Sequence, residues 1–224
     1  MIRFLFASLL VVTAPAPVLA ISYTSASRSI HAFDSSLSTN ALGAWANSVH
    51  GTAVGQIFEN GELLEWDQSF AVASQTSDLG EHEITFAATL FGGVPDFAPG
   101  PRAESSLLVS FVLHQPADFV AAGLYDASGG GGSQGYFLLS LIGSEGPILS
   151  ITDQPAQISG GISGQFEESG ILPAGAYTLS LVFGGWGRYD LDGLSTFSLA
   201  LVTIPEPGTA LLLGLGLLAL ARRR

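Results

Sequence analysis

The side chains able to do chemistry in this chain are few and scattered. Gly131-Gly132-Ser133-Gln134-Gly135 matches the Gly-x-Ser-x-Gly pattern, in which a serine nucleophile sits on a sharp strand-to-helix turn. That chemistry needs a rigid turn beside an oxyanion hole. Here four glycines in a row precede Ser133 and the strand-like YFLLSLI follows it, so the stretch reads as a flexible connection. The four histidines, His31, His50, His82 and His114, include no pair four residues apart and no His-Glu-x-x-His. A zinc hydrolase therefore finds no ligand set. In Glu81-His82-Glu83 a strand would place the two carboxylates on one face and the imidazole on the other. No catalytic constellation emerges, and the expectation is a protein that is not an enzyme.

Two further groups could bind without catalysing. Asp190-Leu191-Asp192-Gly193 offers two carboxylates about a turn, the hard oxygen donors that Ca2+ takes. The third ligand position and distal glutamate of an EF-hand loop are lacking, and Asp and Gly also suit a turn for their backbone conformations alone. Calcium at Asp190 and Asp192 is the one cofactor the sequence suggests. Trp45, Trp66 and Trp186 could stack on sugar rings, whose apolar faces suit an aromatic surface. Trp186 lies in FGGWGRYD, with glycines on both sides and Arg188 and Tyr189 next to it, which makes this the place to expect a glycan contact. Core packing is the competing role for any tryptophan.

The elements that must carry these groups are strands. ITFAATLF alternates Ile84, Phe86, Ala88 and Leu90 on one face; LLVSFVLH does the same with Leu107, Val109, Phe111 and Leu113. AYTLSLVFGG aligns Tyr177, Leu179, Leu181 and Phe183, and STFSLALV aligns Phe197, Leu199 and Leu201. Period two bounded by Gly, Pro, Asp and Ser marks half-buried strands. Asn60-Gly61 predicts a tight hairpin pairing Phe58 with Leu63, Ile57 with Leu64 and Gly55 with Trp66, and setting Glu59 beside Glu62. Further runs at 21–31, 118–125, 136–142 and 158–166 bring the expectation to eight to ten strands. No crossover helix is in view, so the predicted class is all-β, an antiparallel β-sandwich of the jelly-roll or immunoglobulin-like kind.

The two ends differ from this middle. Residues 1–20 carry Arg3, an apolar run from Phe4 to Ala14 and a Val18-Leu19-Ala20 ending, the three parts of a secretory signal peptide cleaved between Ala20 and Ile21. At the other end, thirteen apolar or small residues from Thr209 to Ala221 precede Arg222, Arg223 and Arg224. As a helix the run would reach about 20 Å, a minimal span of a hydrocarbon core about 30 Å thick. The arginine cluster would stay cytoplasmic, leaving the domain outside. The 224-residue chain has nineteen acids, seven basic residues, all arginine, and no cysteine. Without its ends it keeps only Arg28, Arg102 and Arg188 against all of those acids but Glu206. So acidic a surface repels nucleic acid. Disulfides, thiolate zinc and a Cys nucleophile are all excluded, and the core must hold by burial alone.

Pro205-Glu206-Pro207, the Leu/Gly-rich segment and the terminal arginines together resemble the PEP-CTERM sorting signal of exported Gram-negative bacterial proteins. The resemblance implies recognition of Pro205-Glu206-Pro207 by a membrane enzyme, the exosortase, with cleavage near the motif. It implies transit through the inner membrane on the C-terminal helix, then a cell-surface or extracellular location, in bacteria that make exopolysaccharide and biofilm matrix. The two prolines keep the backbone extended where it leaves the helix, as a processing enzyme requires. ASQTSDLGEHEITFAATL, FVLHQPADFVAAGLY and LPAGAYTLSLVFGG in turn resemble the β-sandwich ectodomains found ahead of such tails. The L-x-A-G-x-Y-x-L stretch from Leu172 to Leu179 recurs in carbohydrate-binding sandwiches, with Pro173 and Gly175 making a turn and Tyr177 entering the next strand inward. The expected organisation is a signal peptide at 1–20, an ectodomain at 21–203 and a sorting signal at 204–224. The expected role is structural or adhesive, with extracellular polysaccharide as a partner. Intact-mass analysis of cell-surface protein should find a chain beginning near Ile21 and ending close to Pro205. Recovery of chains still carrying Arg224 would instead indicate a plain anchor.

Overall fold

The structure, a computed structural model, describes residues 21–33, 35–59, 62–93, 102–128, 134–154, 161–186 and 190–203. At 53–59, 62–69, 128, 190 and 203 only the backbone is described. All of these residues fall in the compact unit Leu19–Ile204. The expected signal peptide, the sorting tail and the Ser133 loop lie outside the described residues.

The alternating runs form two six-stranded antiparallel sheets, and no described residue is helical. The first sheet runs, in spatial order, β2 (Ser35–Thr39), β1 (Ser22–Ala32), β6 (Arg102–Leu113), β11 (Gly175–Trp186), β8 (Gln134–Gly143) and β9 (Gly146–Asp153). The second runs β10 (Ile162–Leu172), β7 (Ala117–Ser128), β12 (Asp190–Thr203), β5 (Glu83–Gly93), β4 (Glu62–Leu79) and β3 (Trp45–Glu59). The core is the apolar row of each central strand. Leu107, Val109 and Phe111 on β6 and Leu179, Leu181 and Phe183 on β11 are buried in one cluster with Ile84, Phe86 and Leu90 of β5 and Leu199 of β12. Each such side chain contributes roughly 1.5–3 kcal/mol on leaving water. The four inward rows read from the sequence are those observed.

The count and some boundaries differ from expectation. Twelve strands form among the described residues, because β2 (SSLST) and β9 (GPILSITD) are edge strands with little apolar alternation. The run expected at 158–166 is β10, shifted to Ile162–Leu172, a largely exposed edge strand whose polar middle, GQFEES, hides its ends. Asp190–Gly193 is not a turn: it opens β12 and pairs with Gly93 through Leu90 on β5. Glu81 and His82 lie in a bend rather than a strand, and the His82 carbonyl accepts the Leu201 N–H at 2.8 Å.

The long hairpin shows why a register can change part-way. Phe58 pairs with Leu63 and Glu59 with Glu62, as Asn60-Gly61 dictates. A bulge at Leu64 then shifts the ladder, so Ile57 pairs with Glu65 and Trp66 with Gln56, while Gly55 faces Asp67. Residues directly opposite share a face. The buried residues of β4, Ala71, Ala73, Gln75 and Ser77, stand opposite Gly51, Val49, Asn47 and Trp45, of which Gly51 is buried and Val49 and Trp45 pack against the core. The turn sets one parity and the core another, and one extra residue reconciles them.

Side chains that are buried or half-buried hold the turns and the crossings between sheets. Tyr177, 5% exposed, donates its hydroxyl to the Pro173 carbonyl at 2.5 Å and stacks on Phe111 at 5.4 Å. This is the expected inward entry of the Leu172–Leu179 stretch, with the geometry of a tyrosine corner. Tyr23 donates to the Gly80 carbonyl at 2.6 Å, tying β1 to the β4–β5 turn. Arg28, fully buried, donates from its two terminal nitrogens to the carbonyls of Ala41 and Gly43, holding the β2–β3 connection against the first sheet. Replacing Tyr177 by Phe should cost about 1–2 kcal/mol, because the phenol bond goes and the Pro173 carbonyl loses its partner. A denaturant midpoint lowered at constant m-value would report it.

Candidate functional site

The inward rows being filled, chemistry is left to the outward faces. On the first sheet, three outward rows meet where β6 begins, β8 begins and β11 ends. Trp186 stands between Arg102 on β6 and Gln134 on β8, and two residues back Gly184 stands between Glu104 and Tyr136. Glycine at 184 decides the local shape. A Cβ there would overlap the Tyr136 ring, so only a bare backbone lets that ring lie across β11. From there the Tyr136 hydroxyl donates to Oε2 of Glu104 on the far strand. The ring thus forms a floor, about 7 Å along the strand from Trp186.

Trp186 is 43% exposed, and beside it opens a groove of about 660 Å³. Arg102, Gln134, Tyr136, Leu138, Gln154 and Trp186 line it. The β1–β2 turn steadies one wall. Phe33 adopts a left-handed φ of 53°, a conformation that costs a bulky residue of order 1 kcal/mol or more, and donates its N–H to the Arg102 carbonyl at 3.1 Å. Burial, reinforced by the hydrogen bond to Glu104 and its charge, pushes the Tyr136 phenol above its ordinary pKa. The phenol is therefore a neutral donor throughout the physiological range. An aromatic floor, an exposed indole, two amides and one guanidinium can stack on a ring and hydrogen-bond its substituents.

Of the expected glycan contacts, Trp186 is exposed in this groove, while Arg188 and Tyr189 lie outside the described residues. The three tryptophans do not make one platform. Trp45 packs against the core from β3, Trp66 sits about eleven ladder positions away on β4, and Trp186 belongs to the other sheet. For the calcium pair, Asp190 and Asp192 are alternate residues of β12 and share a face of the strand; Asp192 is exposed. Among the described residues no three His, Cys, Asp or Glu side chains cluster as metal ligands would. The histidines stay apart: His31 contacts the Ser35 carbonyl at 3.0 Å, His114 the Ser22 hydroxyl at 3.0 Å, and His50 meets Phe70 edge-on. Ile21 is buried, its N–H donating to the Glu81 carbonyl at 2.9 Å, whereas Ala20 lies outside the described residues. So do Pro205, Glu206, Pro207, Arg222, Arg223 and Arg224. Among the described residues no helix is long and apolar enough to cross a membrane. Reading the sequence missed Arg102, Gln134, Tyr136 and Gln154, since only strand register brings them to Trp186: β6 and β8 flank β11, and β9, which Gln154 follows, pairs with β8.

Comparison with known proteins identifies the tail. Residues 203–224 match the PEP-CTERM protein-sorting motif family. The chain is thus one that carries a PEP-CTERM sorting signal, the mark of a protein exported and sorted at the membrane. No curated protein sequence matches the chain. Solved structures similar to it include the enzymatically active domain of bacteriophage CBA120 tailspike protein 4, at 11% identity and TM-score 0.28, covering 71% of this chain and 19% of that one. Another is from the infectious bursal disease virus Gx strain, at 10% identity and TM-score 0.29, covering 86% of this chain and 60% of that one. A third is the CBM22-1 xylan-binding domain from Paenibacillus barcinonensis Xyn10C, at 13% identity and TM-score 0.21, covering 72% and 87%. This chain thus spans less than two thirds of the first two, and likenesses this low carry no functional argument.

The Gly184 floor is testable by titration. A raised phenol pKa means the fold favours the neutral form; its stabilisation is complete below the ordinary value of about 10 and is lost as pH climbs through the raised one. Gly184→Ala should push the Tyr136 ring off β11 and break its bond to Glu104. One additional phenol should then ionise near pH 10 in an ultraviolet titration, with about 1–2 kcal/mol of stability lost. An unchanged titration curve would show that Gly184 does not hold the ring.

Proposed function

We propose that this is a non-catalytic, exported surface protein that acts structurally or adhesively and grips extracellular polysaccharide through the groove at Trp186. The sorting motif at residues 203–224 supports the first half. On this reading an exosortase recognises Pro205-Glu206-Pro207, the hydrophobic segment before Arg222–Arg224 holds the chain in the inner membrane during transit, and the processed domain serves at the cell surface or in the biofilm matrix of a Gram-negative bacterium. Residues 1–20 act as the signal peptide.

The observation that carries the second half is the exposed indole of Trp186 set beside the Tyr136 ring, with amides of Gln134 and Gln154 around them. Here the strand ladder presents a large aromatic over a groove rather than turning it inward, where its face is open to stacking. The domain is read as a β-sandwich of the jelly-roll kind. The chain changes sheet at β2–β3, β5–β6, β6–β7, β7–β8, β9–β10, β10–β11 and β11–β12, many more crossings than an immunoglobulin-like order makes. Nucleic acid is no partner for so acidic a domain.

Binding to a glycan array should be weakened at least about tenfold by Trp186→Ala, with the thermal midpoint unchanged, since an exposed side chain adds little to the fold. Binding unaffected by Trp186→Ala, or silence across neutral and acidic polysaccharides, would remove the adhesive half of the reading and leave the sorting half untouched.

A further inference from the structure

We infer that the polysaccharide taken by the Trp186 groove is acidic, with a sugar carboxylate received by Arg102; this rests on the glycan reading of the groove. Between the signal peptide and the sorting tail the chain has eighteen carboxylates and three arginines. Arg28 is fully buried and its guanidinium is committed to the carbonyls of Ala41 and Gly43. Arg102 is exposed, and among the described residues it is the only charged side chain lining the groove. Among the described residues, an acidic protein thus lines this groove with a cation and no carboxylate.

The nearest carboxylate on the same strand is accounted for. Glu104 is the next outward residue of β6, but it accepts the Tyr136 hydroxyl across Gly184 and does not line the groove. Arg102 stands directly opposite Trp186, so a ring stacked on the indole brings a substituent at its edge within reach of the guanidinium. Guanidinium recognises a carboxylate through two parallel hydrogen bonds, a geometry that lysine cannot supply and a neutral hydroxyl does not exploit. A neutral glycan would be served by the amides alone and would leave that cation unused. The acidic surface beyond the groove repels a polyanion at large, so binding is confined to the place where stacking and the guanidinium coincide.

The test uses the full chain in detergent with three polyuronates of different linkage, polygalacturonate, alginate and a glucuronan, each beside its carboxyl-reduced neutral counterpart. At low salt at least one acidic form should bind about tenfold or more tighter than its reduced partner. The preference should vanish in Arg102→Gln, return in part in Arg102→Lys, and shrink at high ionic strength, where exposed charges are screened. Trp186→Ala should abolish binding of both forms. Equal binding of acidic and reduced forms, or a preference that survives Arg102→Gln, would overturn the acidic inference while leaving a glycan groove in place. Binding of none of the six would overturn both.

Discussion

Contact between two apolar sheet faces holds this protein together, with no covalent help. There is no cysteine, and the strands that cross the middle of each sheet meet through alternating aliphatic and aromatic residues. A chain of rings makes the contact specific. Tyr125 of the second sheet lies flat on Phe137 of the first, with centroids 4.4 Å apart and planes within 9°. Phe137 in turn meets Phe166, and Phe166 meets Phe197. Phe166 reaches inward because β7 has a glycine in its path: a Cβ on Gly123 would stand 2.7 Å from its ring and 2.6 Å from the Thr196 carbonyl. The same device appears on the outer face, where Gly184 makes way for Tyr136. One bare backbone position allows a ring to span three strands inside, and another allows it outside.

The corners follow from that constraint. A chain that changes sheet repeatedly must bend its backbone over the edge of the core, where carbonyls lose water and need donors. Tyr177 and Arg28 supply them from strands at two such corners, and Tyr23 does the same for the β4–β5 turn, so each is fixed to a part that is already rigid. Arg28 is the costliest of these. Burial lowers its pKa, an effect that the nearby charge of Asp78 and the Tyr23 phenol oppose. Two carbonyls answered by one planar group offset that cost, which explains an arginine in a core otherwise free of full charges among the described residues.

Which of these features could be read from the sequence depended on how far apart the cooperating residues lie. Inward rows such as Leu107, Val109, Phe111 and Leu113 are local patterns, and they stand where the alternation put them. The inward entry of Tyr177, four positions after Pro173, was equally legible, while its hydroxyl bond to the Pro173 carbonyl was not. The hairpin at Asn60-Gly61 was legible only as far as its bulge, because the parity of β3 is set by the core and not by the turn. Edge strands β2 and β9 bury too little to show a period. Of the groove, Trp186 could be singled out by its flanking glycines, but Arg102 lies 84 positions earlier and Tyr136 fifty positions earlier, and no local signal joins them. Strand order does.

That order also explains why a binding surface should arise at this end of the sheet. The inner face cannot vary without opening cavities, and the edge strands must stay polar to avoid pairing with other chains. The outer face of β6, β11 and β8 is central, rigid and under neither restraint. A side chain placed there loses little further freedom on binding, because three neighbouring strands already hold its backbone. Tyr136 is restrained further by its bond to Glu104, and the backbone of Arg102 by the Phe33 amide. The groove is thus preorganised by the same ladders that close the core, and a ligand meeting it finds an aromatic floor already in place.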